Sequence, residues 1–515
     1  SMSWRTTTSL CGCIIMSGPF GSTAWMANPS TGGFYDFPIS KSLRFEDGDS
    51  PTLRRTPGTA GNRKTWTTSL WVKRANLGGG QRLGINSGTS NTTFTGFYFN
   101  PDNTINFFHR NNTSDSHAVQ TIRKFRDTSS WYHFVLACDT TQSTAANRVK
   151  MYVNGEQVLF PVVVDGTGGF PDQDQDMQVN NTAYHQTIGA DWNGTDKFDG
   201  YHADITHIDG LQLTPSSFAE TKNDIWIPKD TSGLTFGTNG FRLEFKQTGT
   251  GTASSTTIGA DTSGNDNHWT SNSLVASDVV PDSPTNNFAT YNPIAYSTSS
   301  TYSEGNLKAV VTGTGASPLS FGMTSGKWYA EVRCSGGDNT RVGVVNEIGV
   351  GVDLGTTTNT WAKINNAARV YHNGSTTDQG AEWDNGQVAM VAIDVDAGKI
   401  WYGVEGTWDI SGDPAAGSNP SQSSISGDTL FFASASGTGT MTYIFNTGSD
   451  GTFAGAETAQ GNADENDIGD FYYAPPSGFL ALCTANLPDP VETIDPAQGG
   501  SVQDYFNTVL WTGND

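Results

Sequence analysis

The stretch RVKMYVNGEQVLF, residues 148–160, contains the clearest local fold signal in the chain. Val149, Met151 and Val153 alternate with charged or polar neighbours, and an apolar alternation resumes after Asn154-Gly155. A period of two on both sides of an Asn-Gly pair predicts two antiparallel strands joined by a tight turn. The stretch therefore predicts a β-hairpin. It leaves open whether the hairpin frames an active site or belongs to a scaffold that only binds.

Similar alternating segments fill two regions of the chain. Across residues 43–210 no window has a convincing helical period, and strand-like segments resume at residue 307. The 515 residues include 60 Gly, and 11% are aromatic, which is typical of many short strands joined by turns and not of a disordered chain. We predict an all-β fold of two antiparallel β-sandwiches in tandem, at residues 41–246 and 303–487.

The remaining segments have a different composition. Residues 1–40 are expected to form an N-terminal arm. Residues 247–302 are rich in Thr, Ser, Gly, Asn and Asp, and this composition predicts a long polar linker. The chain ends at YFNTVLWTGND, a strand-like segment with no partner after it. We therefore expect residues 488–515 to be the start of a further, truncated module.

The overall charge and the cysteines exclude several classes of protein. The formal net charge is −23, so a nucleic acid would be repelled. No apolar run approaches the roughly 20 residues of a membrane span, so no membrane insertion is expected. The five cysteines are too few and too scattered for a disulfide framework, and Cys138 and Cys334 are predicted to be buried free thiols.

The first predicted sandwich resembles the laminin-G-like, concanavalin A-like jelly-roll family. The resemblance lies in the order of an aromatic strand, a Trp-x-His strand, a Tyr-Val-Asn-Gly hairpin, and a Gly-x-Asp segment followed by Phe-x-Gly-Tyr. These segments are TWTTSLWVKR (65–74), WYHFVLACD (131–139), VKMYVNGEQV (149–158) and TIGADWNGTDKFDGYHADITHIDGLQLTPSSF (187–218). The resemblance implies a jelly roll, a fold that also hosts glycosidases.

The second predicted sandwich resembles the SPRY family, another twisted β-sandwich. The matching segments are SGKWYAEVR (325–333), IGVGVD (348–353), YHNG (371–374) and WDNGQVAMVAIDVDAGKIWYGVEGTW (383–408). In similar SPRY modules, loops at one end of the sandwich contact partner proteins. The resemblance implies that the same region binds here, and we predict that Trp361, Tyr371, His372 and Trp408 contribute.

Segments outside the two sandwiches resemble bacteriophage structural proteins. They are DTSGNDNHWTSNSL (261–274), DSPTNNFATYNP (282–293), YAPPSGFLALCTANLPDP (473–490) and YFNTVLWTGN (505–514). The resemblance implies a virion protein of a tail fibre or related appendage, with residues 1–40 as its anchor to other virion subunits. Fibres of this kind are commonly homo-oligomeric trimers, although no heptad or collagen-like repeat is present to enforce a trimer.

The loop DWNGTD, residues 191–196, is the predicted ligand site of the first sandwich. Asp191, Trp192, Asn193 and Asp196 combine an aromatic ring with planar hydrogen-bonding groups, which suit a sugar. The alternative is that Trp192 only packs under its own loop.

Acidic residues at alternate positions also predict a metal site. Asp172, Asp174 and Asp176 could supply oxygen ligands to calcium, and the alternative is a solvated loop. No other cofactor is expected. In HADITH, His202 and Asp204 share one strand face while His207 points away, which argues against zinc and favours exposed or half-buried side chains.

No catalytic signature is present in the sequence. The Glu-x-Asp-x-x-Glu string of concanavalin-like glycosidases is missing, as are a Gly-x-Ser-x-Gly elbow and a phosphate loop. We predict a non-enzymatic virion protein whose sandwiches bind host-surface glycan or protein. The alternatives are a polysaccharide depolymerase built from dispersed carboxylates and a purely structural decoration protein.

Overall fold

A computed structural model describes residues 34–295, 300–336, 339–365 and 368–487. The predicted module at 488–515, most of the predicted arm, Cys11 and Cys13 lie outside these residues. Within them no helix is long and apolar enough to span a bilayer. Helical structure in the described ranges is confined to single 3₁₀ turns at Ala145–Asn147, Pro215–Ser217, Ala276–Asp278, Asp409–Ser411 and Thr484–Asn486.

The strands of the described residues follow each other closely. Up to residue 280 they are β1 (Ser42–Phe45), β2 (Thr52–Arg55), β3 (Thr65–Arg74), β4 (Gln81–Ser90), β5 (Thr93–Phe99), β6 (Ile105–Arg110), β7 (Ser116–Gln120), β8 (Tyr132–Asp139), β9 (Val149–Val153), β10 (Glu156–Val158), β11 (Val162–Val163), β12 (Gln186–Ile188), β13 (Gly200–Asp209), β14 (Ala219–Lys222), β15 (Ile225–Pro228), β16 (Phe241–Leu243), β17 (Thr270–Asn272) and β18 (Val279–Val280). From residue 300 they are β19 (Ser300–Ser303), β20 (Lys308–Val311), β21 (Ser317–Pro318), β22 (Lys327–Ser335), β23 (Thr340–Asn346), β24 (Thr360–Ile364), β25 (Arg369–His372), β26 (Ser375–Asp378), β27 (Val388–Asp394), β28 (Lys399–Val404), β29 (Thr407–Trp408), β30 (Gln422–Ser423), β31 (Leu430–Ser436), β32 (Met441–Asn446) and β33 (Leu480–Ala481).

Two sheets form the first sandwich. The first sheet has the order β10-β9-β8-β3-β13-β1-β18, with β16 also paired to β13, and the second has the order β11-β7-β6-β5-β4-β12-β2-β17. All of these pairings are antiparallel. Alternate residues of each strand face the space between the sheets, so that Leu70 and Val72 of β3 lie in the core with Phe107 and Phe134.

The predicted hairpin is present in this sandwich. Val153 of β9 pairs with Glu156 of β10, and Asn154 and Gly155 both have positive φ, 49° and 86°. Both central residues of a type I′ turn need this backbone conformation. Val149, Met151 and Val153 are buried in the core, as the alternation predicted.

Two further sheets form the second sandwich. One has the order β19-β20-β32-β22-β27-β28-β29, with β30 on β28 and β33 on β22, and the other has the order β21-β31-β23-β24-β25-β26. Their facing sides bury a second core that includes Trp328, Val391, Phe432 and Tyr443. The all-β prediction of two antiparallel sandwiches in tandem is therefore confirmed.

The polar segment between the sandwiches packs against the first one. The sequence predicted a linker at 247–302. In the structure this segment adds β17 and β18 to the first sandwich, and Ile258 and Trp269 lie fully in its core. The domain bounds drawn from the sequence stay a prediction.

Cysteine burial agrees with the sequence and histidine burial does not. Cys138 and Cys334 are buried free thiols, as predicted, and Cys483 is a third. His202, Asp204 and His207, however, are all buried, so the prediction of exposed or half-buried side chains was wrong. Asp204 pairs with Arg242 at 2.9 Å, and His207 contacts Thr68 and Asn180 at 2.9 and 3.2 Å.

Buried charges on the outer face of the first sheet pair with the second sandwich and with the segment that precedes it. Arg44 of β1 donates to Asp450 of the second sandwich over 2.7 Å. Lys73 of β3 donates to Asp282 over 2.8 Å and to Asn287 over 2.8 Å. These pairs are almost completely shielded from water, so each basic group depends on its acceptors.

The Lys73–Asp282 pair makes a stability prediction. Asp282→Ala leaves the Lys73 ammonium buried without its counter-charge, so we expect a loss of about 3–5 kcal/mol in unfolding free energy. Urea unfolding followed by tryptophan fluorescence measures the loss. The control Asp378→Ala removes one partner of the exposed Arg369–Asp378 pair and should cost less than about 1 kcal/mol. Equal losses in both variants would contradict this role of the buried pair.

His202 makes a second prediction. Its ring stacks on Phe198 at 4.3 Å, both ring nitrogens lack partners, and burial lowers its pKa to about 3. Below about pH 6.5 the imidazole of His202 is therefore protonated in the unfolded chain but stays neutral in the folded chain. The free energy of unfolding consequently falls as the pH drops below that value. His202→Phe should remove this penalty, so its gain in unfolding free energy should be about 2 kcal/mol larger at pH 5 than at pH 7. Identical gains at the two pH values would show that His202 does not titrate in this way.

Candidate functional site

An aromatic cleft lies on the outer face of the first sheet, beside the junction of the two sandwiches. Its volume is about 490 Å³, within the usual range for small-molecule sites. The hairpin β14–β15 and the segment around residues 284–287 form its walls. Its aromatic lining is Tyr35, Trp71, Trp131, Tyr132 and Trp226, and its polar lining includes Arg123, Asp127, Asn154, Glu156 and Asp224.

Strand alternation places the indoles in this cleft. Leu70 and Val72 point into the core, so Trp71 between them points outward. Trp131 immediately precedes β8, the neighbour of β3, and its Nε1 donates to Asp282 over 3.1 Å. Trp226 belongs to β15 and reaches the same face from the covering hairpin.

The predicted β9–β10 hairpin forms part of the cleft wall. A Cβ on Gly155 would lie 2.9 Å from the ring of Trp226, so the backbone and the ring are in close contact. Gly155 also has φ of 86°, which side chains disfavour. The turn that decides the local fold therefore also supports one face of Trp226.

His133 of β8 fixes the orientation of the Trp226 ring through a hydrogen bond. Trp226 Nε1 donates to His133 Nδ1 over 3.0 Å, so Nε2 carries the ring proton and donates to Ser69 Oγ over 2.8 Å. The imidazole stacks on Trp71 with ring centroids 4.6 Å apart. Burial lowers the pKa of His133 to about 3, so the ring is neutral at physiological pH and this hydrogen-bond pattern is fixed.

Charged side chains surround the mouth of the cleft. Arg123, Glu156 and Asp224 are exposed, and Asp127 is half-buried. Asp127 Oδ1 accepts hydrogen bonds from the N–H groups of Ser129 and Ser130, so it also shapes its loop. Flat aromatic walls with planar polar groups at the mouth can hold the C–H faces and the hydroxyl groups of a sugar at the same time.

The predicted ligand loop at 191–196 lies at a different place on the first sandwich. Asp191 is buried and accepts from the N–H groups of Asn193 and Thr195 over 3.0 and 2.8 Å, so its carboxylate holds the loop in shape. Asp196 is exposed and pairs with Arg82 at 2.9 Å. Trp192 is half-buried, and its carbonyl oxygen accepts from His185 Nε2 over 2.8 Å.

A second cleft, which we call the rim cleft, adjoins this loop. Its volume is about 520 Å³, and its lining includes Asp47, Asn76, Gly79, Gly80, Asp196 and Lys197. It contains polar groups but no aromatic ring. The structure therefore places Asp196 beside a cleft, whereas Trp192 and Asn193 are not among its lining residues.

Three of the four predicted residues of the second sandwich lie together on β24 and β25, and their role in binding stays a prediction. Trp361 is 1% exposed and stacks on His372 at 5.0 Å, so it packs in the core instead of facing a ligand. Tyr371 is half-buried beneath the Arg341 guanidinium, 5.2 Å from the ring centre. Trp408 lies on β29 of the other sheet.

The predicted calcium ligands are separated by basic partners. Asp172, Asp174 and Asp176 are exposed, Asp174 lies 3.3 Å from Lys64, and Asp176 lies 3.5 Å from Arg63. They do not form a ligand cluster. Among the described residues, the group of three metal-ligating side chains within 4.8 Å of one another is Glu46, Asp47 and Asp199. Calcium at 172–176 stays a prediction.

Sequence reasoning missed the aromatic cleft. Trp71, Trp131 and Asn154 all lie within the segments that resemble the concanavalin A-like family. The alternation of β3 turns Trp71 away from the core, but the sequence analysis did not conclude that Trp71 could line a cleft on the outer face. Trp226 could not have been placed, because only the folded chain brings β15 over β8.

Comparison with known proteins identifies a family for part of the chain. The family model of the concanavalin A-like lectin/glucanases superfamily matches residues 47–217. No curated protein matches the chain. The matches give no sign of a bacteriophage origin.

Several solved structures are similar to parts of the chain. The stonustoxin structure aligns with a TM-score of 0.25 and 19% identity over 31% of this chain and 27% of that chain. The SPRY domain of human HERC1 aligns with a TM-score of 0.22 and 19% identity over 26% of this chain and 85% of that one. A carbohydrate-binding protein candidate from Bacteroides ovatus aligns with a TM-score of 0.30 and 16% identity over 46% and 59% of the two chains.

These alignments are too weak to carry a functional argument, and the chain spans about a quarter of the length of stonustoxin. The family match is of a different kind, because it covers a continuous range that coincides with most of the first sandwich. Residues 47–217 are therefore a concanavalin A-like domain.

Proposed function

We propose that this protein binds carbohydrate in the aromatic cleft of its first sandwich and does not cleave it. The observation that carries the proposal is the convergence of Trp71, Trp131 and Trp226 in one cleft with charged groups at its mouth. The match of residues 47–217 to a superfamily of lectins and glucanases supports carbohydrate as the ligand class.

The cleft is organised before a ligand arrives. Trp226 is the least buried of its three indoles, and the bond to His133 together with the contact with Gly155 holds its ring. A side chain that is already fixed loses little conformational entropy on binding, whereas ordering a mobile one costs roughly 0.5–1.5 kcal/mol. This rigidity favours recognition of a rigid sugar ring.

The carboxylates of the cleft favour binding over hydrolysis. Glycosidases need one carboxyl group that donates a proton and a second that attacks or activates water across the scissile bond. One carboxylate oxygen of Asp127 accepts hydrogen bonds from two backbone N–H groups, and Glu156 is exposed to solvent beside the hairpin turn. Neither carboxylate lies in the solvent-shielded environment that a catalytic carboxylic acid needs.

We propose further that the ligand is a host-surface glycan and that the chain is part of a virion appendage. This part of the proposal rests on the resemblance of segments such as 261–274 and 473–490 to phage structural proteins. Many copies on one particle would turn weak individual contacts into stable attachment. A protein ligand, or a purely structural role among virion subunits, is the alternative.

A glycan array tests the proposed function directly. The full chain is applied to an array of bacterial surface polysaccharides and oligosaccharides, and Trp226→Ala is applied beside it. We expect the wild type to bind a defined subset and the variant to bind at least about tenfold more weakly, because an aromatic contact worth about 1.4 kcal/mol is removed.

The matched control is Trp192→Ala, which removes the half-buried indole of the 191–196 loop. This variant should bind like the wild type. Loss of binding in Trp192→Ala alone would show that the site lies in that loop. If the wild type bound no glycan on the array, the proposal would be overturned. New reducing ends in the same wells would identify a depolymerase instead.

A further inference from the structure

A lysine and an aspartate meet between the two sheets of the second sandwich. Lys363 lies on β24, two residues after the core residue Trp361, so the two side chains share one face of the strand. Asp409 directly follows β29, which belongs to the opposite sheet. Lys363 Nζ donates to Asp409 Oδ2, and the two side chains are only 1% and 2% exposed. The pair therefore bridges the two sheets at a place almost closed to water.

Lys363 has too few acceptors for an ordinary buried ammonium group. An ammonium carries three donors, and among the described residues Asp409 alone accepts a hydrogen bond from Lys363. Lys73, which is equally buried, shows the contrast. Its Nζ has three acceptors, namely Asp282 Oδ2, Asn287 Oδ1 and the carbonyl oxygen of Phe288. Lys73 is therefore satisfied as a cation, whereas the surroundings of Lys363 suit an uncharged nitrogen with fewer protons.

The backbone of the segment before Trp383 holds the Asp409 carboxyl group against Lys363. Asp409 Oδ1 accepts a hydrogen bond from the Ala381 N–H over 3.1 Å. Gly380 packs directly on the same carboxyl group, where a Cβ would overlap it, and its φ of 87° also favours glycine. The carboxyl carbon is therefore fixed beside Nζ, and one of its two oxygens already faces a hydrogen-bond donor.

We infer that Lys363 and Asp409 condense to an intramolecular amide, an isopeptide bond between the two sheets. Proton transfer from the ammonium to the carboxylate gives a neutral amine and a neutral carboxylic acid. Lys363 Nζ then attacks Asp409 Cγ, and the Ala381 N–H stabilises the negative charge that develops on Oδ1. The Nζ–Cγ bond forms, the Cγ–Oδ2 bond breaks, and Oδ2 leaves as water with two of the three ammonium protons. The third proton stays on the amide nitrogen.

The surroundings of the pair favour this condensation. Burial lowers the pKa of Lys363 and raises the pKa of Asp409, while the charge of each partner opposes the shift of the other, so the neutral pair becomes accessible. An amine and an acid that the fold holds together react without the entropic cost of meeting. Gly380 and Ala381 are exposed, so the released water has a short path to the solvent.

The bond changes what the pair does for the second sandwich. The amide is uncharged, so the cost of keeping two desolvated charges between the sheets disappears. Lys363 and Asp409 are 46 positions apart, and a covalent link between them restricts the unfolded chain as a disulfide does. The two sheets then cannot separate unless a covalent bond breaks. This role is independent of carbohydrate binding in the first sandwich.

Mass spectrometry of the full chain tests the bond. The protein is purified folded, denatured, and its intact mass is compared with the mass of its sequence. We expect a deficit of about 18 Da, the mass of one water. Trypsin should also fail to cut after Lys363, and the peptide of residues 342–369 should be found joined to the peptide of residues 400–515. A wild-type chain with the full mass of its sequence would overturn the inference.

Three variants assign the lost water to this pair. Asp409→Ala removes the carboxyl group, and Lys363→Arg keeps a cation beside Asp409 but offers a guanidinium that does not condense, so both should have the full mass of their sequences. Lys363→Arg keeps the ion pair and decides the test if Asp409→Ala fails to fold. The matched control Lys64→Met breaks the exposed Lys64–Asp174 pair and should keep the deficit. A deficit that persists in Lys363→Arg or in Asp409→Ala would overturn the inference.

Discussion

A row of three buried polar side chains on the outer face of the first sheet constrains the rest of this molecule. Arg44, Tyr201 and Lys73 are cross-strand neighbours on β1, β13 and β3. Burial alone would lower the pKa of Arg44, but the carboxylate of Asp450 and other acidic groups around it raise it above its ordinary value. Charges buried to this extent are tolerated only with partners, so the chain must cover this face with acceptors.

The second sandwich and the segment before it supply these acceptors. Asp450 reaches Arg44, the carbonyl of Gly305 accepts from the Tyr201 hydroxyl over 2.8 Å, and Asp282 reaches Lys73. Each contact is directional, so together they fix one way of placing the second sandwich on the first. An apolar face would have allowed sliding, whereas paired charges penalise every arrangement that leaves one of them unmatched.

The aromatic cleft and the carboxylate cluster of Glu46, Asp47 and Asp199 both depend on this arrangement. In the aromatic cleft, Asp282 orients Trp131 by accepting a hydrogen bond from its Nε1. The same carboxylate pairs with Lys73. The cluster of Glu46, Asp47 and Asp199 is closed on one side by the N–H of Glu304, which belongs to the second sandwich and whose carboxylate lies 3.7 Å from Arg44. The aromatic cleft therefore shares Asp282 with the network that holds the sandwiches together.

The sequence predicted the features that are local and missed those that are not. The β9–β10 hairpin, the alternation of its strands and the two sandwiches follow from patterns a few residues long. The Lys73–Asp282 pair joins residues that are 209 positions apart, so no short sequence pattern predicts it. Trp361 was expected to contribute to a binding region at the loops of the second sandwich, yet cross-strand pairing with His372 stacks the two rings inside the sheet. His202 was misjudged because an alternating strand was expected to expose polar side chains, whereas every residue of β13 is buried.

The negative net charge of the chain, −23, has different consequences at different places in the fold. Unpaired carboxylates at exposed positions such as Asp172 cost little, because water solvates them. At the end of β1 and β13 the fold removes that solvent from Asp199 and brings two more carboxylates to it. The repulsion that results is a property of the fold and not of composition. Burial and the neighbouring charges raise the pKa of Glu46 to about 7 and the pKa of Asp199 well above its ordinary value, so protons held by the cluster relieve this repulsion.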